Sequence, residues 1–246
     1  MPHSARTVLI TGATSGIGRA AAIRFAAGGW NVVGLGRRVE RLRQLHDELG
    51  ERLAVLPVDV RDLAAVEQAL TGLPSRLRDI DLLVNNAGTT TKKLLQDTRM
   101  DELDSIIDTN VKAVVGLTRL LLPMLIRRQG AIINVSSTAA NYPHAGSVVY
   151  GGSKAFLSHF SMALRSDLHG IGVRVTVVEP GRTTTEIVAE TDYLQLTADD
   201  VAAAMFAIAE LPAHVNVNKL ELMPVSQSLA GYQIDRTLST LASPRQ

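Results

Sequence analysis

Tyr150 and Lys154 stand four residues apart in YGGSK, and Ser137 lies thirteen residues upstream. A helix of ~3.6 residues per turn sets positions i and i+4 on one face, so a phenol and an ammonium are aimed at one small volume. A phenol with a pKa near ~10 exchanges protons poorly at neutral pH, and an adjacent cation moves it toward the operating range. A serine hydroxyl beside them can hold a substrate oxygen. These residue types suit general acid and base chemistry at a carbonyl or alcohol carbon. Taken alone, Y-x-x-x-K is far more often one face of an amphipathic helix, so the rest of the sequence has to decide.

The segment TGATSGIG follows an apolar run and opens a helical pattern. Gly12 permits a tight turn, Gly16 a close approach to a pyrophosphate, and Gly18 close helix-to-strand packing. Thr14, Ser15 and Ile17 complete the turn, and free N–H groups at the helix start attract an anion. By itself such a turn is also compatible with a sharp strand-to-helix connection that binds nothing. At the end of the second apolar run stand Gly36, Arg37 and Arg38. A carboxylate there would bond an adenosine ribose; arginines instead clamp a 2′-phosphate, so the expected cofactor is NADP(H) rather than NAD(H). The competing reading lets both arginines face solvent at the start of RRVERLRQLHDEL, and it suits Arg38 better than Arg37.

These residues need a frame. Seven apolar runs, TVLI, NVVGL, LAVLPV, IDLLV, AIINVS, VRVTVV and NKLELM, are separated mostly by helical periodicity. Strands buried on both faces read as continuous apolar runs, and parallel neighbours need helical crossovers. The expected fold class is α/β: a Rossmann-type doubly wound parallel sheet of about seven strands with helices on both faces. Helices are expected over roughly 16–28, 38–50, 62–72, 99–128, 150–169 and 197–211. One domain, 1–246, accommodates the chain. Residues 230–246 lose periodicity and make either a disordered tail or an arm on a partner subunit.

Composition narrows the partners. Hydrophobic residues at 46% and charged residues at 20% suit a soluble globular protein. The net charge of +1 argues against nucleic acid. The absence of cysteine excludes disulfides and thiolate metal sites, and the six histidines show no paired ligand spacing, so no metal is expected. MPHSARTVLITG passes directly into a strand pattern, leaving no room for a signal peptide and favouring the cytoplasm. Val111 to Ile126 is interrupted by Lys112 and Arg119, which makes it a core or interface helix rather than a membrane span.

In this order the motifs resemble the short-chain dehydrogenase/reductase superfamily along nearly the whole chain. They are TGATSGIG, Asp59-Val60, NNAG at 85–88, Asn110 within DTNVK, Ser137, Tyr150 with Lys154, and Pro180-Gly181 followed by Thr185. The resemblance implies that Asp59 and Val60 flank the adenine and that Asn86, Ala87 and Gly88 cover the adenosine ribose region. It implies that Pro180, Gly181, Thr183 and Thr185 bind the nicotinamide side, with Tyr150 and Lys154 nearby. Lys154 by the same resemblance holds the nicotinamide ribose, and Asn110 holds a water linking Lys154 to solvent. By residue type alone, Asn110 equally suits bonding to local backbone. Asn85 and Asn86 also suit a turn at a strand end, and both roles can hold together.

The implied reaction is reversible hydride transfer between the nicotinamide and a substrate carbonyl or alcohol carbon. Tyr150 is the proton donor or acceptor and Ser137 holds the reacting oxygen. Ser136 is the rival serine; successive strand residues face opposite ways, and the family spacing selects Ser137.

The stretches NYPHAGSVVYGGSKAFLSHFSMALRSDLHG and LPAHVNVNKLELMPVSQS are similar to NADP-dependent 3-hydroxy acid dehydrogenases acting on serine, allo-threonine and related small acids. That branch also includes sulfoacetaldehyde reductases. It implies a small anionic substrate, with a sulfoacetaldehyde-type or general carbonyl reductase as the alternative. PGRTTTEI departs from the branch's glycine-rich segment. Arg182 there can pair with a carboxylate or sulfonate, or remain a solvated loop arginine, and Thr184 can add a hydroxyl. His144 lines the same pocket or packs at a subunit contact. A non-catalytic NADP-binding regulator is the reading from a different class, and intact Ser137, Tyr150 and Lys154 speak against it. A dehalogenase on this fold would carry arginine in place of Lys154. Broad apolar faces on 99–128 and 150–169 imply, by the same resemblance, a homotetramer.

Overall fold

The computed structural model describes residues 5–186 and 194–227. The segment 230–246, read above as a tail or an arm, lies outside the described residues. The elements run β1 (Thr7–Thr11), α1 (Gly16–Ala27), β2 (Asn31–Leu35), α2 (Val39–Leu49), β3 (Leu53–Leu56), α3 (Leu63–Thr71), α4 (Ser75–Arg78), β4 (Leu82–Asn85), α5 (Met100–Ile107), α6 (Ala113–Arg128), β5 (Ala131–Val135), α7 (Val148–Asp167), β6 (Arg174–Pro180), α8 (Ala198–Ala209) and β7 (Lys219–Leu222). The strand order is β3-β2-β1-β4-β5-β6-β7, with every neighbouring pair parallel. The chain winds outward from β1 to β3 and returns to start the other half at β4. That reversal opens a crevice at the carboxyl ends of β1 and β4, where ligands bind in open sheets of this kind.

Alternation along each strand feeds two cores. Val8 and Ile10 point to a layer with Phe25 of α1 and Met205 of α8. Leu9, between them, points to the opposite layer with Leu83, Leu117 and Leu125. All of these are fully buried. Each such side chain contributes about 1.5–3 kcal/mol relative to exposure, which fixes the strand registers that aim the site residues.

The six expected helices all form, with ends shifted by at most two residues. The short α4, SRLR after Pro74, is too brief to show a period. The helical run Met100–Arg128 is long and apolar enough to cross a membrane, yet Leu117 and Leu125 are fully buried beneath the sheet. Between α5 and α6 the run passes through a π-helical turn at Asp108–Lys112. A single π turn rotates the side chain it carries out of the helical register, and here that side chain is Asn110.

Candidate active site and cofactor cleft

A cleft of about 1130 Å³ opens at the crevice. Its floor is the glycine turn between β1 and α1. Gly12 has φ +70, which favours glycine. A Cβ on Gly18 would lie 2.4 Å from the Gly12 carbonyl oxygen and 2.5 Å from Asn86 Nδ2, so no larger residue fits. Ser15 precedes α1 in extended conformation and its side chain caps no backbone N–H. The first-turn N–H groups are therefore left for an anion.

Thr11 joins this turn to NNAG: its Oγ1 accepts from the N–H groups of Asn86 at 3.0 Å and Ala87 at 2.9 Å, and Asn86 Nδ2 donates back to the Thr11 carbonyl at 2.9 Å. Asn85 is not a turn residue. It closes β4 with a buried side chain that donates to Thr118 Oγ1 at 3.1 Å and Asn134 Oδ1 at 2.8 Å.

The expectation that Arg38 faces solvent more than Arg37 is reversed in the structure. The Arg37 side chain is 71% exposed and its closest acid is Asp59 at 3.8 Å. Arg38 instead folds back over the glycine turn, donating to Thr14 Oγ1 through Nε at 3.1 Å and Nη2 at 2.9 Å, and to Ser15 Oγ. The reason is local. α2 begins at Val39, and Arg38, extended just before it, turns toward α1. Its Nη1 also pairs with Glu186 at 2.6 Å, and Arg41 pairs with the same carboxylate. Hydrogen bonds from Arg38 and then Arg41 hold the Glu186 carboxyl down at about 2. Thr185 faces the glycine turn: its Cγ2 lies 3.3 Å from where a Cβ on Gly16 would stand. Asp59 and Val60 line the cleft. Hydrogen bonds from Arg61 hold the Asp59 carboxyl below its ordinary value, against the opposing effect of burial. Uncapped N–H groups and a guanidinium over the turn fit a dinucleotide carrying an extra phosphate.

α7 starts two residues earlier than expected, at Val148, which puts Tyr150 in its first turn. Lys154 is 5% exposed. Its Nζ stands 5.9 Å from the Tyr150 ring centroid and donates to the Val135 carbonyl at 2.8 Å. Burial pushes the Lys154 ammonium down to about 8. Burial raises the pKa of the Tyr150 phenol, and the neighbouring Ser137 hydroxyl opposes the rise. The spacing predicts a phenol lowered by the neighbouring ammonium, and the structure corrects this. The i, i+4 relation brings the two together, but the ammonium is engaged by a strand carbonyl and the phenol is partly withdrawn from water.

Ser137 also accepts from the Ala139 N–H at 3.1 Å, ending β5 in a tight turn. Ser136 is turned the other way, buried, donating to the Lys154 carbonyl at 2.8 Å and paired with Ser158 Oγ at 3.0 Å.

Asn110 is fully buried. Its Oδ1 accepts from the Thr89 N–H at 2.9 Å, and its Nδ2 donates to the Thr89 carbonyl at 2.9 Å and to Ser153 Oγ at 3.0 Å. Ser153 Oγ in turn donates to the Tyr150 carbonyl at 2.7 Å. Asn110 Oδ1 and Lys154 Nζ lie 3.3 and 3.5 Å from one point, the position of a Cβ on Gly88. Asn110 therefore bonds a loop distant in sequence rather than its own helix, and fixes that loop to the catalytic face of α7.

At the substrate end, His144 and Arg182 are exposed and line the cleft. Gly181 donates its N–H to the Leu222 carbonyl at 2.6 Å, and buried Thr183 bonds the Gly181 carbonyl at 3.0 Å, so the Pro180-Gly181 turn is held from β7. Thr184 points elsewhere: its hydroxyl donates to Gln195 Oε1 at 2.7 Å.

Sequence reasoning missed Glu179, a fully buried carboxylate bonded by Lys219 Nζ at 2.6 Å, Ser158 Oγ at 2.6 Å and Asn141 Nδ2 at 2.5 Å. Asn141 also reaches Glu221 at 2.8 Å, which accepts from the Tyr142 hydroxyl at 3.1 Å. These bonds hold the chain between Ser137 and Tyr150. A carboxylate interrupting VRVTVVEP was the visible signal; its partners were not.

Fold and site together define a dinucleotide-binding oxidoreductase in which half-buried Ser137 and Tyr150 and buried Lys154 face the cofactor cleft. The chain belongs to the short chain dehydrogenase family, whose pattern matches residues 6–194. It is 47% identical over 244 residues to serine 3-dehydrogenase of Agrobacterium fabrum, covering 94% of this chain and 98% of the relative. It is 45% identical over 245 residues to the NADP-dependent 3-hydroxy acid dehydrogenase YdfG of Escherichia coli K12, covering 93% and 99%. Among solved structures it is similar to the closed form of a serine dehydrogenase complexed with NADP+, with TM-score 0.90, 44% identity and 94% and 99% coverage. It is also similar to serine dehydrogenase from Escherichia coli, with TM-score 0.84, 46% identity and 90% and 99% coverage.

Proposed function

We propose that this protein is an NADP(H)-dependent oxidoreductase that interconverts a small 3-hydroxy acid and its carbonyl form. The relatives named for serine and 3-hydroxy acids support the substrate class. The observation that carries the chemistry is that Ser137, Tyr150 and Lys154, from two separate elements, line the dinucleotide cleft together. Bound NADP(H) supplies or accepts the hydride. Tyr150 gives its proton to the carbonyl oxygen in reduction and takes one from the alcohol in oxidation. Ser137 donates a hydrogen bond to that oxygen and stabilises the charge that develops there. Lys154, protonated below about pH 8, supplies the positive charge behind them. Asn110 keeps the Gly88-Thr89 loop against α7, so the Lys154 pocket retains its shape.

Gly12, Thr14, Ser15, Gly16, Ile17 and Gly18 would hold the pyrophosphate, and Arg38 with Arg41 the 2′-phosphate. Asp59, Val60 and residues 86–88 would line the adenosine end, and Pro180, Gly181, Thr183 and Thr185 the nicotinamide end. Arg182 would pair with the substrate carboxylate, beside His144. The test is a screen of NADPH oxidation against 3-oxo acids, sulfonated aldehydes, sugars and neutral ketones. Preference for the 3-oxo acids supports the reading; equal rates with neutral ketones would make this a general carbonyl reductase.

The working assembly is a homotetramer. Exposed Val148, Phe156 and Met162 on α7, with Phe156 stacked on Phe160 at 5.8 Å, support helix pairing between subunits. Light scattering that gives a monomer at micromolar concentration refutes this. We place the reaction in the cytoplasm, the compartment that matches a cysteine-free chain using NADPH; cell fractionation tests it.

A further inference from the structure

Two lysines follow Thr91, and they face different surroundings. Lys93 Nζ pairs with Glu102 at 2.8 and 3.0 Å. Lys92 lines the cleft, and its side chain has no hydrogen bond or ion pair among the described residues. Its backbone is held in place: Gly146 has φ +76, and a Cβ there would stand 2.8 Å from the Lys92 carbonyl oxygen. The loop after β4 is thus pressed against the turn that leads into α7 and Tyr150.

The distribution of acids along the cleft sets what this ammonium can meet. Among the described lining residues the carboxylates are Asp59 and Glu186. Both lie at the nucleotide end, and both are paired with arginines. The substrate end carries Lys92, Arg182 and His144 with no acid among its described lining residues. A cation without an internal partner, on the wall of a cleft without local acids, favours an anionic ligand.

We infer that Lys92 is a specificity-determining residue that selects substrates carrying an anionic group. This rests on the reading of the substrate as a small acid and adds a second cation, on a different loop from Arg182, that recognises its charge. Because Lys92 is exposed, its effect is moderate and weakened by salt.

The test compares acetoacetate with methyl acetoacetate, a pair that differs in charge at the same reacting ketone. In the whole enzyme with NADPH, Lys92→Ala lowers the acid-to-ester ratio of kcat/KM about fivefold, mainly through KM for the acid. Lys92→Glu lowers it further, and the Lys92→Ala effect fades in high salt. Lys93→Ala, which removes the neighbour already paired with Glu102, leaves the ratio in place. A wild-type preference for the acid that survives Lys92→Ala overturns the assignment while leaving the acidic-substrate reading intact. A wild type without preference for the acid overturns both.

Discussion

The Arg38 guanidinium and the Glu186 carboxylate meet at 2.6 Å, joining the start of α2 to the segment that follows β6. Arg38 also lies on Thr14 at 2.9 Å, so this cation, rather than Arg37, is the one we propose for a 2′-phosphate. Arg38→Ala should raise KM for NADPH about tenfold while changing KM for NADH little, given the size of a charge-assisted hydrogen bond at a partly exposed site. Arg37→Ala should have the smaller effect, since its closest acid is 3.8 Å away and its side chain faces solvent. Initial-rate kinetics with both cofactors on both variants decide between them.

Glu186 competes for the same donors. Its carboxylate is bonded by Arg38 and Arg41, which hold its pKa down at about 2, so it is ionised at neutral pH. Glu186→Gln should lower KM for NADPH severalfold without improving NADH, because a like charge next to the incoming phosphate is removed. A rise in KM for both cofactors would mean that the carboxylate chiefly holds its segment in place.

Removing the phenol should separate chemistry from binding. Tyr150→Phe is expected to lower kcat by roughly 10²–10⁴-fold, the range of general acid–base catalysis, with NADPH affinity retained. Fluorescence titration with NADPH beside the steady-state assay checks both halves.

The pH dependence follows from Lys154. Burial depresses its pKa to about 8, so the charged form is penalised in the folded enzyme. Below about pH 8 the ammonium is present, and as pH rises through 8 the positive charge behind Tyr150 is lost. The profile of kcat/KM for NADPH, which reports groups of the free enzyme, should therefore fall above about pH 8. For stability the sign is opposite: a lysine depressed on folding costs least above its unfolded pKa of ~10.4, and its cost grows as pH falls from there toward 8. A profile flat to pH ~10 would remove Lys154 from the kinetic role, since an unperturbed lysine titrates there.

The two serines of β5's end should behave differently. Ser137→Ala is expected to lower kcat roughly 10²-fold, the scale of losing one hydrogen bond to the reacting oxygen. Ser136→Ala should leave most activity and lower thermal stability by about 1 kcal/mol, since its hydroxyl bonds the Lys154 carbonyl and Ser158 inside the protein. Assay and thermal melts on both variants give the comparison.

The parallel sheet, the six expected helical segments and the glycine turn could all be read in the sequence. Continuous apolar runs and 3.6-residue periodicity are local consequences of burial, and Gly12 and Gly18 stand where their neighbours leave no room for a side chain. Tyr150, Lys154 and Ser137 were likewise visible as residue types at helical and family spacing. Contacts between distant segments were not. Whether Arg37 or Arg38 covers the cofactor turn depends on which way the chain leaves β2, and the Asn110 bonds to Thr89 depend on a π turn that no period reveals. The phenol's raised pKa depends on how deeply α7 seats Tyr150 against β5, and Glu179 finds its three partners only when β6, β7 and α7 come together. Side-chain type and spacing fix which groups can react; burial and long-range hydrogen bonds, which exist only in the folded chain, fix their charge and direction.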